Sequence, residues 1–276
     1  MNTIQPAASQ PAPRGRPVPY RAVVTDVAER GAHMVRVTFG GDGLAAFRWP
    51  GPASHLKVFL PEPGRSEVDL PPADENGFMV IEPGRPRPLT RTFTPLRWDQ
   101  DAGRLDVEFL LHGHGPAAQW AAAARVGDQL AVSQPRRTYE VLPDSGWLLL
   151  AGDESALPAI TTLLRGLDPS LPIELLVEVA DSGFEVSLPE HPGVKLRWLP
   201  RGSARPGAVL TEAVAGWTPP PGPGQVWAAC EARAVRDIRA HLLGPLAMPR
   251  ERVLTRGYWF AGHANHPDHD YGDDDL

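Results

Sequence analysis

Hydrophobic and polar residues alternate in short segments through the first half of the chain. Residues 105–109, Leu-Asp-Val-Glu-Phe, alternate with a period of two, which is typical of a β-strand with one buried face. Other segments of this half are short, rich in β-branched or aromatic residues and bounded by Gly or Pro. The predicted strands are 20–24, 34–39, 56–60, 78–81, 90–98 and 105–111. About six short antiparallel strands are typical of a β-barrel.

One helix is predicted within this strand-rich half, over residues 116–125. Pro116 suits the first helical position, where its missing N–H costs nothing, and Arg125 suits the carboxyl-terminal end of the helix dipole. Gly127 follows as a stop signal.

After Pro143 the pattern changes to strands that alternate with helices. This alternation predicts βαβ units, a parallel sheet and right-handed connections. The predicted strands are 147–151, 173–179, 194–199, 225–229 and 252–259, and the helices are 156–166, 208–215 and 232–243.

The two patterns predict four regions along the chain. They are a flexible proline-rich amino terminus (1–18), a β-barrel domain (19–143), an α/β domain (144–262) and an acidic His/Asp tail (263–276). A barrel followed by an α/β domain suggests a flavin held by the first and a pyridine nucleotide approaching from the second.

Composition narrows the class of protein. The 276 residues are 42% hydrophobic and 22% charged, which is ordinary globular usage and excludes wholesale disorder. The single cysteine, Cys230, excludes an internal disulfide framework and suits a reducing compartment. We find neither an apolar run of about 20 residues nor a signal-peptide core, so we expect a cytoplasmic protein without stable membrane insertion.

The net charge of −6 is concentrated in the tail, whose last fourteen residues carry five aspartates. The rest of the chain is nearly neutral, so no basic excess indicates nucleic-acid binding. Three histidines, His263, His266 and His269, stand among these carboxylates. A transition-metal site is one interpretation of this pattern, and a disordered or loosely docked tail is the one we favour.

Arg91-Thr92-Phe93-Thr94 places an arginine, an aromatic ring and two hydroxyls on one predicted strand. Side chains alternate along a strand, so Arg91 and Phe93 share one face unless a bulge intervenes. Such a set suits a dinucleotide, with arginine on phosphate, phenylalanine on a flavin ring and threonine at a ring nitrogen. The alternative is an ordinary strand with a surface arginine and a core phenylalanine.

A glycine-rich turn, residues 112–118, runs from a strand into a helix start. Glycines let the backbone approach a ligand, and free N–H groups with the helix dipole favour a phosphate. A tight turn without a ligand is the alternative. His112 and His114 have no nearby Cys or carboxylate, so we interpret them as loop residues and predict no protein-bound metal.

A third turn, Ala-Gly-Asp-Glu-Ser-Ala-Leu-Pro at 151–158, follows the first strand of the α/β half, where ligands of parallel sheets collect. Ser155 or Asp153 can cap the helix, and Pro158 fits its first turn. Carboxylates at Asp153 and Glu154 would repel a pyrophosphate, so this is not a standard phosphate-binding turn. Capping alone is the alternative.

In this order the three turns resemble the siderophore-interacting proteins, flavin-dependent ferric-siderophore reductases of the ferredoxin-reductase superfamily. The resemblance covers residues 20–259 and rests on RTFT (91–94), HGHGPAAQWA (112–121), VGDQL (126–130), LLLAGDESALPAI (148–160), VWAACEA (226–232) and GYW (257–259). It implies a six-stranded antiparallel FAD-binding barrel followed by a parallel-sheet NAD(P)H-binding α/β domain. The implied activity passes electrons from NAD(P)H, or from ferredoxin, through FAD to a ferric siderophore, which releases Fe(II) for iron assimilation.

The resemblance also implies roles for individual residues. Those that would contact FAD are Arg91, Thr92, Phe93, Thr94, His112, Gly115, Ala117, Ala118 and Trp120. Those on the nicotinamide side would be Asp153, Glu154, Ser155, Glu231 and Trp259, with Arg201 on a nucleotide 2′-phosphate and Arg205 as its second candidate. Thr94 and Cys230 would lie nearest the redox chemistry, although a small buried residue is an equal interpretation of Cys230. Our candidates for binding the anionic chelate are Lys57, Arg136 and Arg137. The alternative is that these three are ordinary solvated surface residues.

Several positions depart from the family pattern. Phe93 replaces a usual Tyr, and Ala118 replaces a common Ser. Phe260 occupies the position after Tyr-Trp at which the family often has a basic residue. Leu96, Gln134 and Cys230 also differ from common family residues. Two other functions stay open: a related flavin reductase with a quinone, free flavin or protein acceptor, and a non-redox ferric-chelate binding protein.

Overall fold

The computed structural model describes residues 17–113, 115–137, 139–184 and 186–263, and the backbone of 269–270. An eight-stranded antiparallel sheet in the first half is followed by a six-stranded sheet that belongs to an α/β half. The predicted fold class, an antiparallel barrel-like half followed by a parallel α/β half, is confirmed. Across the part of the chain that is described, no helix is long and apolar enough to cross a membrane.

The antiparallel sheet curls around a core of aliphatic and aromatic side chains, with Phe39, Leu56, Val58 and Phe109 nearly inaccessible to solvent. Its order is β4-β3-β7-β1-β2-β6-β5, with β8 paired to β3. The strands are β1 (Tyr20–Glu29), β2 (Met34–Gly40), β3 (Ser54–Leu60), β4 (Leu89–Phe93), β5 (Pro95–Asp99), β6 (Arg104–Leu110), β7 (Gln129–Val132) and β8 (Arg136–Arg137). Helix α1 (Pro116–Ala123) follows β6.

This sheet differs from the predicted six strands in three places. Residues 90–98 split into β4 and β5, because Pro95 has no N–H and restricts the backbone of Thr94. Residues 78–81 form no strand, and Phe78 pairs only through an isolated bridge with Pro17. The strands β7 and β8 were not predicted from the pattern, because four and two residues are too short to show a period.

The α/β half follows the prediction closely. Its sheet order is β11-β10-β9-β12-β13-β14, and the pairs among β9 to β13 are parallel. The elements are β9 (Leu148–Asp153), α2 (Leu157–Gly166), β10 (Ile173–Val179), β11 (Val194–Pro200), α3 (Ala208–Ala215), β12 (Gln225–Glu231), α4 (Ala232–Leu243) and β13 (Val253–Trp259). In the tail, β14 (His269–Asp270) pairs antiparallel with β13, which was not predicted. Residues 264–268 and 271–276 of the tail, including His266, lie outside the described residues.

Contacts between the two halves centre on α2 and the first barrel hairpin. The buried N–H of Ala53 donates to Thr162 Oγ1 at 3.0 Å, which ties the loop before β3 to α2. The His33 ring, in the turn between β1 and β2, stacks on Phe184 with ring centroids 3.8 Å apart and an interplanar angle of 9°. The halves therefore meet both along α2 and beside the carboxyl end of β10.

Candidate functional site

The RTFT segment occupies β4 and the break that follows it. Thr92 lies directly opposite Lys57 on β3, so Arg91 and Phe93 share the other face of β4, as the alternation predicts. Thr94 is buried in the short gap between β4 and β5. Three of the residues predicted to contact the flavin thus lie on an edge strand of the sheet, and the fourth, Thr94, directly follows that strand.

The Phe93 ring is half-buried at the end of a row of aromatic side chains. Its centroid lies 4.4 Å from that of Phe109, which lies 5.7 Å from Trp120. Trp120 belongs to α1 and also stacks on Phe39 at 6.2 Å. This row holds the Phe93 ring from behind and leaves part of it accessible.

Arg91, on the edge strand β4, is partly buried. Its Nη1 donates to Thr90 O at 2.8 Å. Desolvation by burial lowers the pKa of Arg91, although a guanidinium keeps its charge at neutral pH. A partly desolvated guanidinium gains more from an anion than a fully hydrated one, which suits it to a phosphate.

The glycine-rich turn leads into α1 through Gly115, whose φ of 80° and ψ of 152° fall in a region that essentially only glycine adopts. No side chain of the described residues caps this helix start. Pro116 has no N–H, so the first donors of the helix are the N–H groups of Ala117 and Ala118. An uncapped helix start beside a glycine turn fits the phosphates of a dinucleotide.

Beside this turn, the exposed His112 flanks Gly115, since a Cβ built on the glycine would lie 3.7 Å from His112 Cε1. His114 lies outside the described residues. Among the described residues there is no group of three or more His, Cys, Asp or Glu side chains placed to hold a metal ion.

Two of the three predicted chelate-binding cations share a face of the sheet. Arg136 on β8 lies opposite His55 on β3, and Lys57 follows His55 by two residues, so the three point to the same side. Lys57 Nζ donates a hydrogen bond to Thr92 Oγ1. Sequence reasoning missed His55, because only the pairing of β8 with β3 places it beside Arg136.

Arg137 lies apart from this set. It stands opposite Ser54 on the other face of β8, where its Nε donates to Tyr139 O at 3.1 Å. Its Nη2 lies 3.4 Å from Glu140 Oε1. The structure therefore does not bring Arg137 together with Lys57 and Arg136.

At the carboxyl end of β9, Asp153 is almost completely buried and accepts hydrogen bonds on both oxygens. Oδ1 accepts from Ser155 N at 3.0 Å, and Oδ2 accepts from Trp259 Nε1 at 2.7 Å and Glu231 N at 3.1 Å. Desolvation, and then the charge of Glu154, raise the pKa of Asp153 to about 6, against the effect of its hydrogen bonds. Asp153 thus caps the turn that leads into α2, and its hydrogen bonds connect the carboxyl ends of β9, β12 and β13.

Arg201 lies between two carboxylates. Its Nη1 is 2.8 Å from Glu154 Oε1 and 3.7 Å from Oε1 of Glu178, whose side chain is fully buried. A nucleotide 2′-phosphate at Arg201 would have to compete with both. Arg205, its second candidate, is 58% exposed and 3.6 Å from Asp237.

Carboxylates also cap the later helices of the α/β half. Glu178, at the end of β10, accepts from Gly207 N at 2.6 Å and Leu210 N at 2.9 Å at the start of α3. Glu231, at the end of β12, accepts from Arg233 N at 2.7 Å at the start of α4. These N–H groups are therefore occupied by the protein's own anions.

Cys230 is fully buried and packs in the core beneath α3 and α4. Its thiol lies 3.6 Å from Glu231 O. Burial, together with nearby carboxylates, raises the pKa of this thiol well above its usual value, so it stays neutral. Cys230 is thus a residue of the hydrophobic core, and it directly precedes Glu231 of the candidate site.

Comparison with known proteins relates both halves to one family. The sequence model described as siderophore-interacting protein matches residues 145–262, and that described as siderophore-interacting FAD-binding domain matches residues 23–139. The NADPH-dependent ferric-chelate reductase of Escherichia coli is 30% identical over 233 residues, which cover 83% of this chain and 88% of the relative. The ferric vibriobactin reductase ViuB of Vibrio cholerae is 29% identical over 235 residues, which cover 83% and 85%.

Solved structures agree with these sequence matches. A siderophore utilization protein from T. fusca has a TM-score of 0.75 and 31% identity, covering 92% of this chain and 97% of its own. The siderophore-interacting protein SipS from Aeromonas hydrophila has a TM-score of 0.75 and 27% identity, covering 91% and 94%.

Proposed function

The chain belongs to the siderophore-interacting protein family, and we propose that it is an FAD-dependent NAD(P)H:ferric-siderophore reductase. The observation that carries the proposal is the open start of α1, where Gly115 leads into uncapped N–H groups that suit the phosphates of FAD. Relatives named as ferric vibriobactin reductase and NADPH-dependent ferric-chelate reductase support the same activity.

We assign the binding of FAD to the barrel half, residues 19–143. Arg91 and the N–H groups of Ala117 and Ala118 would hold its phosphates, Phe93 would contact its ring system and Thr94 would hydrogen-bond at its edge. The chemistry that bound FAD would supply is acceptance of a hydride from a nicotinamide nucleotide and return of the two electrons one at a time. Ala118 lacks the hydroxyl of a serine, so its backbone N–H is its whole contribution.

The iron is substrate in this proposal, and its ligands come from the siderophore. One NAD(P)H and two Fe(III) chelates give NAD(P)⁺, one proton and two Fe(II), so that charge and electrons balance. Fe(II) is held less tightly than Fe(III) by hard oxygen ligands, which releases the metal. Lys57 and Arg136 would attract the anionic chelate to the outer face of β3 and β8.

We assign electron entry to the α/β half, residues 144–262. There Asp153 holds Trp259 and the end of β12 in place, and the nicotinamide would approach this edge. We place the reaction in the cytoplasm, since the one cysteine, buried and unpaired, gives the chain no need for an oxidising compartment.

The test is reduction of the FAD-loaded protein under anaerobic conditions by NADH, NADPH or reduced ferredoxin, each added alone. A ferric siderophore and a ferrous trap then follow, with a quinone in a parallel arm. We expect one nicotinamide nucleotide to bleach the flavin absorbance, and two ferrous ions to be trapped per nucleotide oxidised. A protein without flavin absorbance after FAD addition, or one that reduces only the quinone, would contradict the proposal.

A further inference from the structure

A tight turn after β13 brings a cation and two rings together at the carboxyl edge of the sheet. The Arg233 Cζ lies 4.9 Å from the centroid of the Phe260 ring. The His263 ring meets the same ring edge-on, with centroids 4.5 Å apart and an interplanar angle of 70°. Glu231 Oε1 accepts from Ala261 N at 3.2 Å and so fixes this turn to the end of β12.

Arg233 is an unexpected residue for its position. It is the second residue of α4, where a positive side chain opposes the helix dipole and costs roughly 0.3–1 kcal/mol. Its guanidinium is exposed, and among the described residues it has no carboxylate within 4.0 Å. Neither helix stability nor an ion pair among those residues therefore accounts for the cation.

Stacking on Phe260 prepares this guanidinium for an anion. The Cζ atom of Arg233 lies over the Phe260 ring, and a guanidinium held against a ring in this way keeps N–H groups available to a ligand. A stacked side chain also loses less conformational freedom when a ligand binds. An oxyanion with two oxygens can then be held in the fork geometry that arginine offers.

We propose that Arg233, positioned by Phe260, binds an oxyanion of a ligand at the carboxyl edge of the α/β sheet, with His263 as a second donor. At the same edge, Arg201 is engaged by Glu154 and Arg205 lies near Asp237, whereas Arg233 stands open. The oxyanion is a phosphate of the nicotinamide nucleotide or an oxygen of the anionic ferric chelate. This assignment rests on the proposed function, which brings both ligands to this edge.

The test measures binding to the FAD-loaded protein by calorimetry, without turnover. The probes are adenosine 2′,5′-bisphosphate for the nucleotide and gallium(III) citrate as a redox-inactive anionic chelate. We expect Arg233→Gln to raise the Kd of one probe about tenfold, and Phe260→Leu to raise it about threefold, because the charge stays but its position is lost. Arg236→Gln, one turn along α4 and also exposed, is the matched control and should change neither Kd.

The two probes separate the sources of the oxyanion. An effect on the bisphosphate alone assigns Arg233 to the nucleotide, and an effect on gallium citrate alone assigns it to the chelate. Wild-type affinity of Arg233→Gln for both probes would overturn the inference. Absence of NAD(P)H-dependent iron reduction in the wild-type protein would instead refute the proposed function, and the binding data would still decide the role of Arg233.

Discussion

The helix starts of the two halves are built in opposite ways. In the barrel half, α1 begins after Gly115 with no side-chain cap from any described residue. In the α/β half, Glu178 caps α3 and Glu231 caps α4, while Asp153 caps the turn before α2. One half leaves backbone donors for an outside anion, and the other fills them with its own carboxylates.

This difference indicates where each half can receive negative charge. Backbone N–H groups and the dipole of α1 are free to bind phosphate oxygens. At the starts of α3 and α4 the carboxylates of Glu178 and Glu231 already accept from backbone N–H groups. An anionic ligand beside these helices would therefore be met by side-chain cations such as Arg233. The two halves thus use different chemistry for similar ligands.

Placing a carboxylate at the start of α1 gives the largest expected effect, because it makes the barrel half resemble the α/β half. Gly115→Asp and Gly115→Asn share the same backbone strain at φ 80° and differ in charge. We expect the Asp variant to bind FAD about 100-fold more weakly than wild type and about tenfold more weakly than the Asn variant, by fluorescence titration. Gly222→Asp, at φ 88° on an exposed loop, controls for strain. Equal affinities of Asp and Asn variants would show that charge at this helix start is irrelevant.

Removing the charge of a capping carboxylate should act on stability. Glu178→Gln keeps the size of the side chain but turns one of two buried oxygens into a donor that faces Gly207 N or Leu210 N. We expect the free energy of unfolding in urea to fall by about 2 kcal/mol. The exposed Glu212→Gln on α3 should change it by less than about 0.5 kcal/mol. Wild-type stability of Glu178→Gln would mean that the cap contributes nothing.

The pH dependence of the stability contributed by Asp153 has a definite sign. Its pKa of about 6 lies above the ordinary 3.8, so its contribution to stability is full below about pH 4 and is lost as the pH rises through 6. Wild type should therefore gain stability relative to Asp153→Asn as the pH falls from 7 to 4. Urea unfolding at each pH measures the difference between the two proteins. A difference that is constant with pH would contradict the raised pKa.

Much of the fold follows from local pattern. The predicted helix 208–215 matches α3 (Ala208–Ala215), since a strand-helix alternation with clear stop signals fixes such elements locally. The short β7 and β8 are stabilised mainly by pairing with distant strands, and no local period indicates them. The predicted strand 78–81 was wrong, because Met79 packs against the barrel core from a loop, whereas Val80 and Ile81 are exposed.

The candidate site divides in the same way. Gly115 and Asp153 stand inside turns whose local sequence indicates a helix start, so their positions could be predicted. Glu178 could not, because it lies near the end of an ordinary apolar strand and accepts from Gly207, 29 residues later, just before α3 begins. The separation of Arg136 from Arg137 likewise depends on the pairing of β8 with β3. The roles of such residues depend on segments that are distant in sequence, so the local pattern alone does not indicate them.

That separation predicts the smallest effect, within the barrel half itself. Arg136 shares a face with Lys57, whereas Arg137 is held by Tyr139 O, so the two neighbouring arginines should differ in function. We expect Arg136→Gln to raise KM for an anionic ferric chelate about fivefold, and Lys57→Gln to add a similar factor, because each removes one attracting charge. Arg137→Gln is the adjacent control and should leave KM within about twofold, while FAD content stays constant in all three. A larger effect from Arg137 than from Arg136 would place the chelate on the opposite face of β8.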